Sequence, residues 1–507
     1  MTAFAELCVT TNFSFLRSGS HPEEFVEHAK QLGLAAIGVA DRNTLAGVVR
    51  AHVMAKEQGL RLIVGARLVF RDGTPDLIAY PRDRAAYANL TRLLTVGNLR
   101  APKGECWLDF ADFLAHAQGL QTILIPAFAQ GDTPDAMSPY LQQIKAAAGA
   151  AWLAAPFQFN GEDRRRIRQL KALAVQTGAR LLASTEPLMH HPDRRALLDV
   201  VTCIREKTRL ADAAALLASN AERCLKPPAE ITRLYKDAPE AVAESLRFLD
   251  GVSFSMDDLR YEYPEETAVG FSDPQQALEA LSWAGAARRY PNGVPEKVVV
   301  SLKRELEIVG RLKYAPYFLT VADIVKFARS GFDKDGNKID PILCQGRGSA
   351  ANSSICYVLG VTEVDPARNE LLFDRFVSEE RGEPPDIDID FEHERREEVI
   401  QYIYKKYGRD RAGLSAVVIS YRGRSAIREV AKVFGYSEDR ISALAKTLHW
   451  WSDGVRKQDL KEQGLDVDDP QLMQCVALAN ELYGFPRHLS QHVGGFVITR
   501  EKLHDVV

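Results

Sequence analysis

Residues 385–391 read PDIDIDF, with Asp386, Asp388 and Asp390 alternating with Ile387 and Ile389. Side chains of a β-strand point alternately to its two faces, so this pattern predicts a strand with three aspartates on one face and two isoleucines on the other. Successive aspartates then stand about 6.5–7 Å apart at their Cα atoms. Their carboxylates can converge on two divalent cations about 3.5–4 Å apart. Like charges held this close repel and raise one another's pKa, a penalty that a bound cation removes. Hard carboxylate oxygens favour Mg2+ over zinc. The bland reading is a solvated sheet edge on which aspartates block aggregation. The aliphatic partners and Phe391 suggest a central strand, which favours the metal.

Upstream, residues 345–350 read QGRGSA. Gly346 and Gly348 permit positive φ and close backbone approach. A strand, this turn and a helix are predicted, and amides at the helix N-terminus would form an anion site. Arg347 can add a bidentate phosphate contact, and Ser349 can cap the helix or bond a phosphate oxygen. A tight structural turn is the competing reading. The motif is neither GxxxxGK[ST] nor GxGxxG, so neither a P-loop ATPase nor a dinucleotide site is indicated. A phosphate cradle beside a two-metal strand is what nucleotidyl transfer requires.

Basic residues flank this region. Arg424, Arg428 and Lys432 recur at i, i+4 and i+8 on a predicted helix, with Arg422 just before it. Such a stripe either grips a phosphate backbone or is a solvated helix face. Arg375 and Arg381 precede the aspartate strand and can reach a triphosphate or pair with acids; the phosphate is preferred. Residues 333–340 (DKDGNKID) read as a turn, since the glycine and closing glutamate of a calcium loop are misplaced.

The first 230 residues alternate apolar runs with amphipathic helices. Strands are expected at residues 6–9, 36–40, 62–70, 77–80, 122–125, 151–155 and 181–184. One helix, at residues 22–32, carries Ser20 and Glu23 as a capping box. This alternation implies an α/β fold with a largely parallel sheet in a closed or nearly closed barrel. Residues 231–296 read as a connection, 297–420 as an α/β domain holding the two motifs, 421–485 as mostly helical, and 486–507 as a return strand. With 507 residues, several domains are expected. No apolar run is long enough for a membrane span, and no signal peptide is evident. Seven dispersed cysteines fit a reducing, cytoplasmic setting. The net charge of −4 requires that any nucleic acid be met by local basic patches.

GRGSAANSSICYVLGVTEVDP, LLFDRFVSEER and PDIDIDF together resemble the palm of C-family bacterial DNA polymerases, a polymerase-beta-like nucleotidyltransferase fold. SYRGRSAIREVAKVFG and RHLSQHVGGFVIT resemble the same family around an inserted helical thumb. The N-terminal units resemble its PHP barrel, of (β/α)7 type. The resemblance makes Asp388 and Asp390 the metal-binding, catalytic aspartates, with Asp386 as their companion. It makes Gly346, Arg347, Gly348 and Ser349 the holders of the incoming triphosphate. Where a PHP metal site has histidines and acids, this sequence has Cys8, Thr10, Asp41-Arg42, Arg67 and Glu186-Pro-Leu188; arginines there would repel a cation. The barrel is therefore expected to be structural. His190 and His191 are read as surface residues.

NFSFLRSGSHPEEFVEHAK, DRNTLAGVVRAHVMAKEQGLRLIVGARL and RAPKGECWL are similar to the error-prone members of the family. That branch implies damage-induced or translesion synthesis from dNTPs on primer-template DNA. It also implies a sliding clamp and mutagenesis accessory proteins as partners. The third palm aspartate and the fingers lie beyond residue 507 in this family, so the chain reads as a fragment that would not extend a primer alone. The alternatives are a replicative alpha subunit of the same family, a PHP-type phosphoesterase and a non-catalytic DNA-binding remnant.

Overall fold

The computed structural model describes residues 3–127, 134–264, 266, 270–369, 373, 377, 387–446, 457–462 and 465–506. It divides into two units. The first comprises residues 1–260, 416–491 and 504–507, and the second residues 261–415 and 492–503.

Seven strands make the sheet of the first unit, ordered as in the sequence: β1 (Ala5–Val9), β2 (Ala36–Arg42), β3 (Arg61–Leu68), β4 (Leu77–Pro81), β5 (Leu120–Leu124), β6 (Trp152–Pro156) and β7 (Arg180–Ser184). All seven expected strands are present. Strand alternation separates two cores. Phe4, Val9, Ile37 and Leu68 pack outward against the helices, while Ala5, Leu7, Ile63, Tyr80, Ile123 and Trp152 fill the interior. The two ends of the sheet approach each other. Glu6 on β1 accepts hydrogen bonds from Ser184 Oγ (2.6 Å) and Thr185 N (3.1 Å) at the end of β7.

The sheet is largely parallel, as expected, with one departure at β4, and the expected helix cap is corrected. β4 runs antiparallel to both β3 and β5. Only residues 69–76 join β3 to β4, too few for the crossover that parallel strands need. The cap of helix Pro22–Gln31 is shifted by one residue: Glu24 Oε2 accepts from His21 N at 2.8 Å. Ser20 instead joins His190, its Oγ 2.8 Å from Nδ1.

Residues read as the start of a connection form helices Pro228–Leu234 and Pro239–Asp250, which belong to the barrel. The second closes one end of it. Ser245 Oγ accepts from Ala5 N, Leu249 O accepts from Arg61, and Phe248 packs on Trp152 and Tyr80. Ala5, Arg61 and Trp152 each begin a strand, so this helix covers the N-terminal ends and leaves the C-terminal ends as the mouth. Helices Gly423–Val433 and Pro470–Leu482, expected in the thumb, bury Ile427, Val430, Cys475 and Leu482 with Leu197, Leu198 and Val201 of helix Arg195–Glu206.

In the second unit, helices Pro274–Arg289, Glu296–Leu312 and Ala315–Arg329 share a core with helix Ser354–Val358. Strands β8 (Cys344–Arg347) and β9 (Asp388–Phe391) pair antiparallel. Strands β10 (Ala412–Ser420) and β11 (Pro486–Ile498) form another pair. Residues 333–340 form the expected turn: Asp333 accepts from the N–H groups of Asp335 and Asn337, and Gly336 takes φ 87°.

Candidate nucleotidyl-transfer site

β9 presents its side chains as its sequence requires. Asp388 and Asp390 are exposed, and Ile387 and Ile389 pack against the helical core. Both aspartates therefore share an open face. Among the described residues β9 pairs only with β8, which corrects the expectation of a central strand. Asp386, Arg375 and Arg381 lie outside the described residues.

The register sets the glycine turn beside this face. Arg347 stands opposite Asp388, Gly346 opposite Ile389 and Gln345 opposite Asp390. Gly346 donates to Val361 O at 2.7 Å, and a Cβ there would fall 2.6 Å from that oxygen. Gly348 takes φ +59°, and its absent Cβ would point within 3.7 Å of Asp388 Oδ2. Glycine is thus required at the first position by space and favoured at the second by conformation.

Arg347 Nε lies 3.1 Å from Asp390 Oδ2, between side chains that are 66% and 57% exposed. In water an ion pair of this kind is worth about 0–1 kcal/mol, so it opens readily. The donor set offered by the face is two carboxylates, which suits a hard divalent cation. Among the described residues no group of three or more His, Cys, Asp or Glu is arranged to hold a metal.

One expectation about the phosphate site is corrected. The turn leads into a 3-10 segment, Gly348–Asn352, and then the five-residue helix Ser354–Val358. That helix is capped from within. Ser353 Oγ accepts from Cys356 N at 3.2 Å. The buried Glu305 accepts from Ser354 N (2.8 Å), Ile355 N (3.0 Å), Ser353 Oγ (2.8 Å) and Ser301 Oγ (3.0 Å). Its first amides are already taken, those of Ser354 and Ile355 by Glu305 and that of Cys356 by Ser353, and are not free to bind an anion. Burial raises the Glu305 pKa, against the lowering effect of these donors. Sequence reading missed Glu305, which looks like one more charge in the helical run KRELE.

The basic stripe forms as expected. Arg424, Arg428 and Lys432 are exposed along helix Gly423–Val433, whose other face buries Ala426, Ile427, Val430 and Ala431. Arg422 Nη1 donates to Tyr483 Oη at 2.8 Å, and Lys432 lies 3.7 Å from Glu429.

At the barrel mouth, ion pairs occupy the positions where the family resemblance places metal ligands. Arg67 bridges Asp76 (2.7 Å) and Glu186 (3.1 Å), and Arg42 also binds Asp76 (2.9 Å). Asp41 accepts from Thr11 N, Thr11 Oγ and Ser14 Oγ at 2.6–2.8 Å. His190 is partly buried beside Ser20, and burial with nearby Arg194 lowers its pKa to about 4.

Comparison with known proteins matches two stretches of the chain. Residues 6–155 match the PHP domain, and residues 276–507 match the bacterial DNA polymerase III alpha NTPase domain. An error-prone DNA polymerase of Rhodopseudomonas palustris (strain BisB5) is 52% identical over all of this chain and 45% of its own length. Those of Brucella abortus and Sinorhizobium medicae are each 51% identical over all of this chain, and over 47% and 44% of their lengths. The chain thus spans a little under half the length of these relatives. A solved structure titled as that of a putative metal-dependent phosphoesterase from Bifidobacterium adolescentis is 15% identical over 37% of this chain and 88% of its own, with a TM-score of 0.27. No helix among the described residues is long and apolar enough to cross a membrane.

Proposed function

We propose, for a chain that belongs to the C family of bacterial DNA polymerases and is most similar to its error-prone branch, that the β8–β9 pair is the catalytic centre of template-directed DNA synthesis. The primer 3′-hydroxyl attacks the α-phosphate of a dNTP, and pyrophosphate leaves. The observation that carries this reading is the shared exposed face of Asp388 and Asp390 beside the Gly346–Ser349 turn.

Asp388 and Asp390 would hold Mg2+, which when bound activates the hydroxyl and neutralises charge on the phosphates. Arg347 exchanges Asp390 for a triphosphate oxygen, a charge-assisted bond of greater worth. Gly346, Gly348 and Ser349 orient the triphosphate through the close backbone approach that the glycines allow. Asp386 supports the metal-binding pair, and Arg375 and Arg381 reach the triphosphate. Arg422, Arg424, Arg428 and Lys432 hold the phosphate backbone of primer-template DNA without regard to sequence. The whole protein carries out damage-induced, translesion synthesis in the cytoplasm, with a sliding clamp and mutagenesis accessory proteins as partners.

The test is Mn2+ binding to this chain, followed by electron paramagnetic resonance with and without dATP. Wild type should bind the ion, and more tightly with dATP. Asp388→Asn and Asp390→Asn should each weaken binding at least tenfold. Unchanged binding in both variants contradicts the assignment.

A further inference from the structure

Asp388 is the first residue of β9 and stands at the end of the β8–β9 ladder, opposite Arg347. Ile387 precedes it and lies outside the ladder. Gly346 turns its amide away from β9, donating to Val361 O, so Gly346 and Ile389 form a pair without mutual hydrogen bonds. The two-residue period of a strand then turns the amide of Ile387 away from β8 as well. That amide is met by a side chain: Tyr317 Oη accepts from Ile387 N at 3.2 Å. The other end of β9 is closed by backbone, where Glu392 N donates to Leu343 O at 2.9 Å. The end that carries Asp388 is thus the one held by a phenol.

Tyr317 is itself held firmly. It lies in the first turn of helix Ala315–Arg329, whose Phe318, Leu319 and Val321 belong to the core of the second unit. Its ring meets those of Tyr263 and Phe318, with centroids 5.3 and 6.2 Å apart. Ile387 packs against the same core. The phenol oxygen therefore reaches β9 from a ring whose position packing fixes. Carboxylates that share a cation must be held within about 0.5 Å of the productive geometry. A bond to the backbone one residue before Asp388 acts on that tolerance directly.

We propose that Tyr317 is a positioning residue for nucleotidyl transfer: by accepting from Ile387 N, its phenol oxygen holds Asp388 in place beside Asp390 for a shared divalent cation. The proposal rests on the reading of Asp388 and Asp390 as metal ligands. Tyr317 touches neither substrate nor metal in this role.

The experiment compares Tyr317→Phe, Tyr263→Phe and Asp388→Asn. Tyr317→Phe keeps the ring and removes only the phenol. Tyr263→Phe is its control, since Tyr263 Oη has no hydrogen-bond partner among the described residues. Mn2+ binding to the 507-residue chain is followed by electron paramagnetic resonance. Tyr317→Phe should weaken it about three- to tenfold, the worth of one hydrogen bond. Tyr263→Phe should bind as wild type does, and Asp388→Asn should bind more weakly than Tyr317→Phe. In the complete polymerase, Tyr317→Phe should lower kcat and raise the Mg2+ concentration for half-maximal extension by about the same factor. The KM for dNTP and the affinity for primer-template should stay within about twofold of wild type, because no contact to either is lost. The proposal alone is overturned if Asp388→Asn weakens Mn2+ binding while Tyr317→Phe does not. It is also overturned if Tyr263→Phe matches Tyr317→Phe, or if kcat, KM and primer-template affinity all worsen together, as in a merely structural role. Unchanged Mn2+ binding in Asp388→Asn instead overturns the reading beneath it.

Discussion

Arg347 stands opposite Asp388 in the β8–β9 register but reaches diagonally to Asp390, with Nε and Oδ2 3.1 Å apart and both side chains open to solvent. The guanidinium thus occupies one oxygen of a carboxylate that the proposed chemistry assigns to a cation. Because the pair is solvated, its attraction is small and exchange is easy.

Replacement Arg347→Gln should therefore have opposite effects on two ligands. Divalent-ion affinity should rise roughly two- to fivefold, the equivalent of a surface ion pair. The KM for dNTP in the complete polymerase should rise at least tenfold, because glutamine cannot make the charge-assisted bond to phosphate. Metal titration and steady-state kinetics give the two values, and a parallel fall in both affinities would contradict an exchanging role.

Glu305 has a different kind of role. It touches no proposed substrate position but accepts four hydrogen bonds around the start of helix Ser354–Val358. Glu305→Ala leaves the Ser354 and Ile355 amides without an acceptor, at about 1–3 kcal/mol for each buried group. Urea unfolding should show a loss of roughly 2–5 kcal/mol. A loss below about 1 kcal/mol would mean that water replaces the carboxylate.

A pH dependence follows from Glu6 in the barrel. Burial, opposed by bonds from Ser184, Thr185 and Cys8, raises its pKa from 4.5 to about 7. The folded state then holds a proton that the unfolded state has released across this interval. Glu6 therefore contributes stability that is present below pH 4.5 and is lost as the pH rises to about 7. His21 and His190, whose pKa values fall to about 4, act in the opposite sense. The comparison must accordingly be differential: between pH 5 and 8, wild type should lose more stability than Glu6→Gln, by up to about 3 kcal/mol. Parallel unfolding profiles would refute the assignment.

The exposed stripe on helix Gly423–Val433 predicts salt-dependent DNA binding. Changing Arg424, Arg428 and Lys432 together to Gln should weaken binding to all duplex sequences alike. The slope of log affinity against log salt should fall by about 0.9 for each phosphate no longer neutralised. Selective weakening on one sequence would contradict a backbone-gripping role.

Much of this was legible in the chain itself, for reasons that can be named. Alternation along β9 requires Asp388 and Asp390 to share a face whatever the tertiary context. The seven barrel strands are short apolar runs separated by strong helical patterns, which a single sequence displays well. The reversal of β4 was also available from the brevity of residues 69–76, but the regularity of the neighbouring units masked it. Glu305 was not legible, because its partners at residues 353–355 lie 48–50 positions away, beyond helix Ala315–Arg329 and β8. The same holds for Asp76: Arg42 and Arg67 are conspicuous as residues hostile to a cation, while the carboxylate that binds both comes from a turn with no pattern of its own. Local periodicity reveals faces, whereas long-range polar pairs depend on how those faces meet.

The central claim is that Asp388 and Asp390 jointly hold the metal that drives nucleotidyl transfer. Its most direct test is primer extension by the complete polymerase carrying Asp388→Asn together with Asp390→Asn. Since both side chains are exposed, folding and primer-template affinity should remain near wild type, while extension should fall by at least about a thousandfold. Extension at a rate within tenfold of wild type would contradict the account.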